Sequence, residues 1–333
     1  MIISRTPFRL PLGGGGTDLP SYYKEHGGFL VTAALDLHMH LCINQPSMVD
    51  KIKLNYSKTE IVDIHDIQSI KHEIVRESLK YLNIQRPLEI SSMADISGGT
   101  GLGSSSSYTV GLLNGLNTLL CRHVPVQELA EEACKVEIDL IGKPIGKQDQ
   151  YAAAFGGIIA LDIAPSGDVK VTRLNLEPEF INELEHRLLF FYTKIERDAK
   201  EILGEQQRVI SPSEQKNVAL QSMHKIKEIG FQVRDALIEN DVDRLGELFH
   251  LHWLQKKQIT NKMSSPQIDQ WYDLAMQNGA IGGKIMGAGG GGFFVFCCEY
   301  GKRKHLRFAL EQAGLKYMGC KFDFNGSKII GNF

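Results

Sequence analysis

Gly98-Gly99-Thr100-Gly101-Leu102-Gly103-Ser104-Ser105-Ser106-Ser107 runs directly into Tyr108-Thr109-Val110-Gly111-Leu112-Leu113, which reads as the start of a helix. Glycine lets the backbone turn its N–H groups inward and approach a bulky anion without Cβ obstruction. A helix that begins where such a loop ends adds unpaired N–H donors and a partial positive charge. The serines add hydroxyls able to meet a phosphate or a divalent cation. The loop therefore suits a polyphosphate, with a nucleoside triphosphate as first candidate, and the alternative is a flexible Gly/Ser connector.

Two familiar phosphate motifs do not fit it. Gly98 and Gly103 have Walker A spacing, but Ser104 stands where that motif needs lysine. The dinucleotide fingerprint fails as well, because serine follows Gly99-x-Gly101-x-Gly103 where its last glycine belongs.

The chain has 333 residues, 43% of them hydrophobic, enough for two domains with real cores. A net charge of −2, from 37 basic and 39 acidic residues, gives no reason to expect nucleic acid or an anionic membrane as partner. The sequence contains no apolar run of roughly 18 residues and no apolar leader after Met1, so a cytoplasmic location is expected. Cys42, Cys121, Cys134, Cys297, Cys298 and Cys320 show no Cys-x-x-Cys spacing and read as reduced, mostly buried thiols.

Glycine is concentrated at Gly13 to Gly16, Gly98 to Gly103 and Gly282 to Gly292, each cluster between well-patterned apolar segments. Strands are expected at Gly28 to Ala33, Leu37 to Ile43, Leu88 to Ser92, Gly157 to Leu161, Arg187 to Tyr192 and Gly292 to Cys297. Helices are expected at Asp66 to Leu82, Ser105 to Cys121, Val126 to Ile141, Pro212 to Asn240, Asp243 to Thr260, Pro266 to Asn278 and Arg303 to Ala313. Strands and helices without strict alternation predict α+β in both halves, divided as 1–175 and 176–333.

Four constellations carry chemistry. In Arg5-Thr6-Pro7-Phe8-Arg9 through Gly13-Gly14-Gly15-Gly16-Thr17-Asp18, a cation, a turn and a carboxylate follow one another. Asp18 is either a ligand for sugar hydroxyls or the cap of the next helix. In the helix expected over Val126 to Ile141, Glu137 falls on the apolar stripe and needs a compensating charge or metal. It is either a hard-oxygen ligand for Mg²⁺ together with a serine, or the partner of a lysine. Asp149, in Gly146-Lys147-Gln148-Asp149-Gln150, is either an acceptor for the proton of an attacking hydroxyl, with Arg9 as the cation beside it, or an N-cap. The third cluster, Lys284-Ile285-Met286-Gly287-Ala288-Gly289-Gly290-Gly291-Gly292, is either a second phosphate nest or a hairpin connection. The Phe249 and Trp253 stripe reads as core, and core or surface packing is the expectation for His250 and His252.

Together the three glycine-centred motifs resemble the GHMP kinases, the sugar and small-metabolite kinases named for galactokinase, homoserine kinase, mevalonate kinase and phosphomevalonate kinase. The resemblance covers nearly the whole chain. It implies a ribosomal-S5-like N-terminal domain, a ferredoxin-like C-terminal domain and an active site in the cleft between them. It implies ATP held by Gly99, Thr100, Gly101, Leu102, Gly103, Ser104, Ser105 and Ser106, and Mg²⁺ held by Ser105 and Glu137. Asp149 would face the acceptor hydroxyl beside Arg9. Gly15, Gly16, Thr17, Asp18, Arg197, Gly289 and Gly290 would bind the sugar. Gly13 to Pro20, with Gly146 to Gly157, resembles more particularly the branch that phosphorylates the anomeric oxygen of heptose 7-phosphate, and less closely the L-fucokinases. The implied partner is a small sugar phosphate, with a homodimer left open. Two departures stand out: Thr6 replaces the usual alanine before Pro7, and Lys194 stands where glycine is common. Lys194 or Arg197 is the expected holder of the sugar phosphate.

Overall fold

The computed structural model describes residues 1–195, 214–319 and 321–333. The described residues form an α+β fold of two sheets. In chain order the elements of the first part are β1 (Ile2–Gly13), α1 (Pro20–His26), β2 (Gly28–Asn44), β3 (Lys51–Asn55), β4 (Thr59–Asp63), α2 (Glu73–Tyr81) and β5 (Leu88–Ala94). They continue with α3 (Ser104–Leu119), α4 (Val126–Cys134), α5 (Gln148–Phe155), β6 (Ile158–Ile163) and β7 (Val169–Arg173). The second part holds α6 (Pro178–Arg187), β8 (Leu188–Tyr192), α7 (Glu214–Ile238), α8 (Val242–Lys257), α9 (Pro266–Gln277), β9 (Ala280–Ile285) and β10 (Phe293–Cys298). It closes with α10 (Arg303–Gln312), β11 (Lys316–Met318) and β12 (Lys328–Asn332).

Strands β12-β1-β2-β5-β3-β4, with β6 and β7 branching from β2, make an eight-stranded sheet. Strands β11-β8-β10-β9 make a four-stranded one. The last strand thus returns to the first sheet, pairing antiparallel with the start of β1.

Several elements differ from expectation for identifiable reasons. The strands expected at Gly28 to Ala33 and Leu37 to Ile43 are one strand, β2, bent where Pro7 pairs with His38 and Phe8 with Leu35. The two residues left over there form a bulge, which bends a strand without ending it. Strand β1 was hidden by Pro7 and Pro11, which cannot donate to a ladder. Its β12 partner reaches only Ile2 to Arg5, so both prolines lie where one side is unpaired. The helix expected from Asp66 begins only at Glu73, after a single 3-10 turn at Ile67–Ser69. Helix α6, ahead of β8, had no counterpart in the expectations. The helix expected over Val126 to Ile141 is α-helical only to Cys134 and continues as a π-helical turn over Lys135–Leu140.

The main core is continuous across both parts. Phe231 of α7 stacks on Phe29 of β2 with ring centroids 3.9 Å apart, and Val233 closes against Gly13. Trp253, Phe294 and Phe296 anchor a second core beneath the small sheet. The cleft lies where the glycine-rich turns of the two parts converge. No helix among the described residues is long and apolar enough to cross a membrane.

Candidate active site

The loop before α3 alternates backbone hand: Gly99, Gly101 and Gly103 have φ of 79°, 85° and 79°. Such alternation turns successive N–H groups to one side, the geometry of an anion nest. At Gly103 a side chain would be strained by the positive φ and crowded as well, since a Cβ there would lie 3.1 Å from Arg9 Cγ and from Asp149 Oδ2. Helix α3 then starts at Ser104, so its free N–H groups and positive end face the same space.

Arg9 and Asp149 form a bidentate pair beside that loop. Arg9 Nε donates to Asp149 Oδ1 at 2.6 Å and Nη2 to Oδ2 at 2.8 Å, while Nη1 donates to the Gly101 carbonyl at 2.6 Å. Planar fork-to-fork geometry fixes the orientation of both side chains. Arg9 is carried by β1, opposite Ala34 of β2 and with its amide donating to the Leu102 carbonyl, and Asp149 by the first turn of α5. The cap reading of Asp149 is excluded, because Lys147 occupies that position and no side chain caps the helix.

Glu137 is fully buried, and the π turn sets its position. An extra residue in the turn re-aims the side chains that follow, which is why such turns recur at functional sites. Ser105 Oγ donates to Glu137 Oε1 at 2.5 Å, and Gln150 Nε2 donates to Oε2 at 2.8 Å. Lys143 Nζ lies 2.7 Å from the same Oε1 and 2.5 Å from Ser105 Oγ. Both alternatives for Glu137 thus meet at one place: its serine neighbour and its lysine partner are both there. A hydroxyl and a carboxylate are suitable donors for Mg²⁺, which prefers one or two protein oxygens and completes its shell from water and phosphate. Lys143 supplies the compensating cation in the same corner. Among the described residues there is no group of three or more His, Cys, Asp or Glu that would hold a metal on their own.

Asp18 is 1% exposed and does not cap α1, whose cap position is Leu19. Its Oδ1 accepts from the Gly16 amide at 3.0 Å and its Oδ2 from the Gln148 amide at 3.0 Å. Burial raises its pKa above the ordinary carboxylate range, opposed by the Gln148 hydrogen bond. Gly146 makes this approach feasible, since a Cβ there would fall inside the Asp18 carboxylate.

Two cavities open from this framework. Gly99, Gly101, Gly103, Ser104, Ser105, Ser106 and Lys143 line one; Gly15, Gly16, Asp18 and Gln148 line the other, together with His252, Lys256 and Lys284. Arg9, Ile145, Asp149, Gly287 and Ala288 belong to both and form the wall between them. The third glycine cluster is the connection of the β9–β10 hairpin, and it also contributes to that wall. Thr17, Gly289 and Gly290 line neither cavity. The Thr17 hydroxyl bonds the Gly14 and Phe29 carbonyls, and the Gly290 amide donates to the Met263 carbonyl. Arg197 lies outside the described residues.

Sequence reasoning missed Lys143, Gln150, His252 and Lys256, and attached no role to Lys284. One signal was available: His252 and Lys256, spaced i and i+4, fall on the otherwise apolar stripe of α8.

The family pattern for the GHMP kinases N terminal domain matches residues 69–157, and that for the GHMP kinases C terminal domain matches 233–315. D-glycero-alpha-D-manno-heptose 7-phosphate kinase of Campylobacter jejuni is 31% identical over 98% of this chain and 97% of its own length. A galactokinase of Pyrococcus furiosus is 26% identical over 93% and 92%. The solved structure of a D-glycero-D-manno-heptose 1-phosphate kinase from Bacteroides thetaiotaomicron superposes with a TM-score of 0.84 at 24% identity over 100% of each chain, a likeness of fold.

Proposed function

This chain belongs to the GHMP kinase family, and from that premise we propose that it transfers the γ-phosphoryl group of ATP to the anomeric hydroxyl of D-glycero-α-D-manno-heptose 7-phosphate. The product is the 1,7-bisphosphate, a precursor suited to GDP activation for surface polysaccharide. That the chain is an ATP-dependent sugar kinase follows from the family and its relatives; the sugar and the residue roles are our reading.

The observation that carries the reading is the shared wall. Arg9 and Asp149 stand between a cavity lined by an anion nest and a cavity lined by a buried aspartate and backbone amides. A donor phosphate on one side and a hydroxyl on the other would meet at that pair. Phosphoryl transfer depends mainly on such positioning and on charge stabilisation.

In this reading the loop amides and the α3 N-terminus hold the triphosphate, and Asp18 with the Gly16 and Gln148 backbone orients the sugar. Asp149 accepts a hydrogen bond from the anomeric hydroxyl and takes its proton as the new O–P bond forms. The electron pair of the breaking bond leaves on ADP. Arg9 holds the Asp149 carboxylate through both oxygens and fixes its plane. Ser105 and Glu137 would hold Mg²⁺, which when bound neutralises charge on the phosphate oxygens. Lys143, on the same oxygens, keeps Glu137 compensated and lies within reach of an incoming phosphate. The test is ADP release against a panel of free sugars and sugar phosphates. Turnover confined to free sugars would overturn the heptose-phosphate assignment.

A further inference from the structure

Resting on the sugar-phosphate reading above, we propose that His252, Lys256 and Lys284 form the anion pocket that receives the phosphate already carried by the sugar substrate. All three line the acceptor cavity, and none lines the nucleotide cavity or the wall between them. They are 3%, 9% and 1% exposed, so their polar ends are withdrawn from bulk water.

Burying basic groups together is costly unless something negative joins them. Among the described residues neither ring nitrogen of His252 has a hydrogen-bond partner. Lys284 Nζ donates to the Leu12 carbonyl at 2.5 Å and stands 4.5 Å above the Phe249 ring, and among the described residues it forms no ion pair with a carboxylate. Lys256 Nζ donates to the Gly287 carbonyl at 2.5 Å, on the turn that also forms the shared wall. Burial first, then the like charges of Lys284 and Lys256, push the His252 pKa far down, and burial followed by Lys256 does the same to Lys284.

The carboxylates of the cavity are committed elsewhere. Asp149 is held by Arg9, and Asp18 by the amides of Gly16 and Gln148. Among the described residues no carboxylate pairs with His252 or Lys284, and a phosphate dianion suits donors of this kind and charge. Its placement is also selective. The reacting hydroxyl belongs at the shared wall and the anion on the acceptor-only lining, which suits a sugar bearing its phosphate at the end remote from the reacting carbon. Lys194, expected from sequence to serve here, lines neither cavity and sits at the turn after β8 with φ of 61°.

The experiment compares kcat/KM for D-glycero-α-D-manno-heptose 7-phosphate with that for the unphosphorylated heptose, in the wild type and in Lys256→Met, Lys256→Arg and His252→Gln. The wild type should prefer the phosphorylated sugar strongly. Lys256→Met and His252→Gln should each reduce that preference by about tenfold or more, through KM for the sugar and not for ATP. Lys256→Arg should retain more of it than Lys256→Met. A second readout needs no variant to turn over: with ¹⁵N-histidine labelling and His252→Gln for assignment, adding the heptose 7-phosphate without ATP should protonate the His252 ring at pH 7. A wild type indifferent to the sugar's phosphate overturns the substrate reading and this pocket with it. A wild type that prefers the phosphate, with variants that keep the preference and a His252 ring that does not respond, overturns the pocket alone. Loss confined to KM for ATP would place these groups on the donor side and also overturns it.

Discussion

The Ser105–Glu137–Lys143 corner and the His252–Lys256–Lys284 corner face the same cleft but are built on opposite electrostatic plans. In the first, a buried carboxylate has a hydroxyl, an amide and an ammonium within 2.8 Å and is satisfied as it stands. In the second, an imidazole with no hydrogen-bond partner among the described residues lies beside Lys256 and Lys284, and the Lys284 ammonium donates to a neutral carbonyl. A complete corner is rigid and ready for a ligand that exchanges with an internal cation. An incomplete corner stores unfavourable interactions that a ligand of opposite sign relieves, so binding there discriminates between a substrate that carries the charge and one that does not. Arg9 and Asp149 stand on the wall between the two cavities.

The largest effect should come from that wall. Asp149→Asn removes the proposed proton acceptor and one charge of the pair, and kcat measured by ADP release should fall about 10²–10⁴-fold. Near-normal turnover with ATP still bound would reduce Asp149 to a structural partner of Arg9. Next is the complete corner. Glu137→Gln leaves Lys143 without its counter-charge, and denaturant titration should register a loss of about 3–5 kcal/mol. Adding Lys143→Met should recover part of that loss, whereas a double variant no better than the single one would show that the pair is not what makes the corner complete. The Mg²⁺ dependence of Glu137→Gln should also shift, and an unchanged titration would remove Glu137 from the metal.

A smaller effect is expected from Gly146→Ala. The new Cβ must displace the Asp18 carboxylate, with a stability loss of about 1–3 kcal/mol and a raised KM for sugar but not for ATP. Smallest is a pH effect in the incomplete corner. The His252 pKa is depressed in the fold below its ordinary 6.5, so the unfolded chain binds that proton first as pH falls. Its contribution is therefore present above pH 6.5 and is lost as pH drops below that value, with a slope of at most about 1.4 kcal/mol per pH unit. His252→Gln should flatten this limb of the stability curve; an identical limb would mean that His252 does not titrate as its surroundings dictate.

The same contrast explains what the sequence disclosed. Glycine turns are local, because the conformations they require are written in single residues, and all three clusters of the cleft were visible in the sequence. Arg9, Asp18, Ser105, Glu137 and Asp149 stood out because each is a polar residue next to a turn or inside an apolar stripe. The incomplete corner is tertiary: α8 brings His252 and Lys256, β9 brings Lys284, and nothing local announces that they meet. His252 looked like a packed core histidine, and it is indeed on the core face. The π turn at Lys135–Leu140 was equally hidden, since its residues fit an ordinary 3.6 period. Strand β1 escaped because Pro7 and Pro11 argue against a strand unless one edge is known to be free.

Mass analysis of the product formed from ATP and D-glycero-α-D-manno-heptose 7-phosphate, with the phosphorylated carbon located by NMR, tests the central claim most directly. The account predicts stoichiometric ADP and a heptose bisphosphate whose new phosphate is on the anomeric oxygen. No ADP release above background, or a phosphate on any other oxygen, would contradict it.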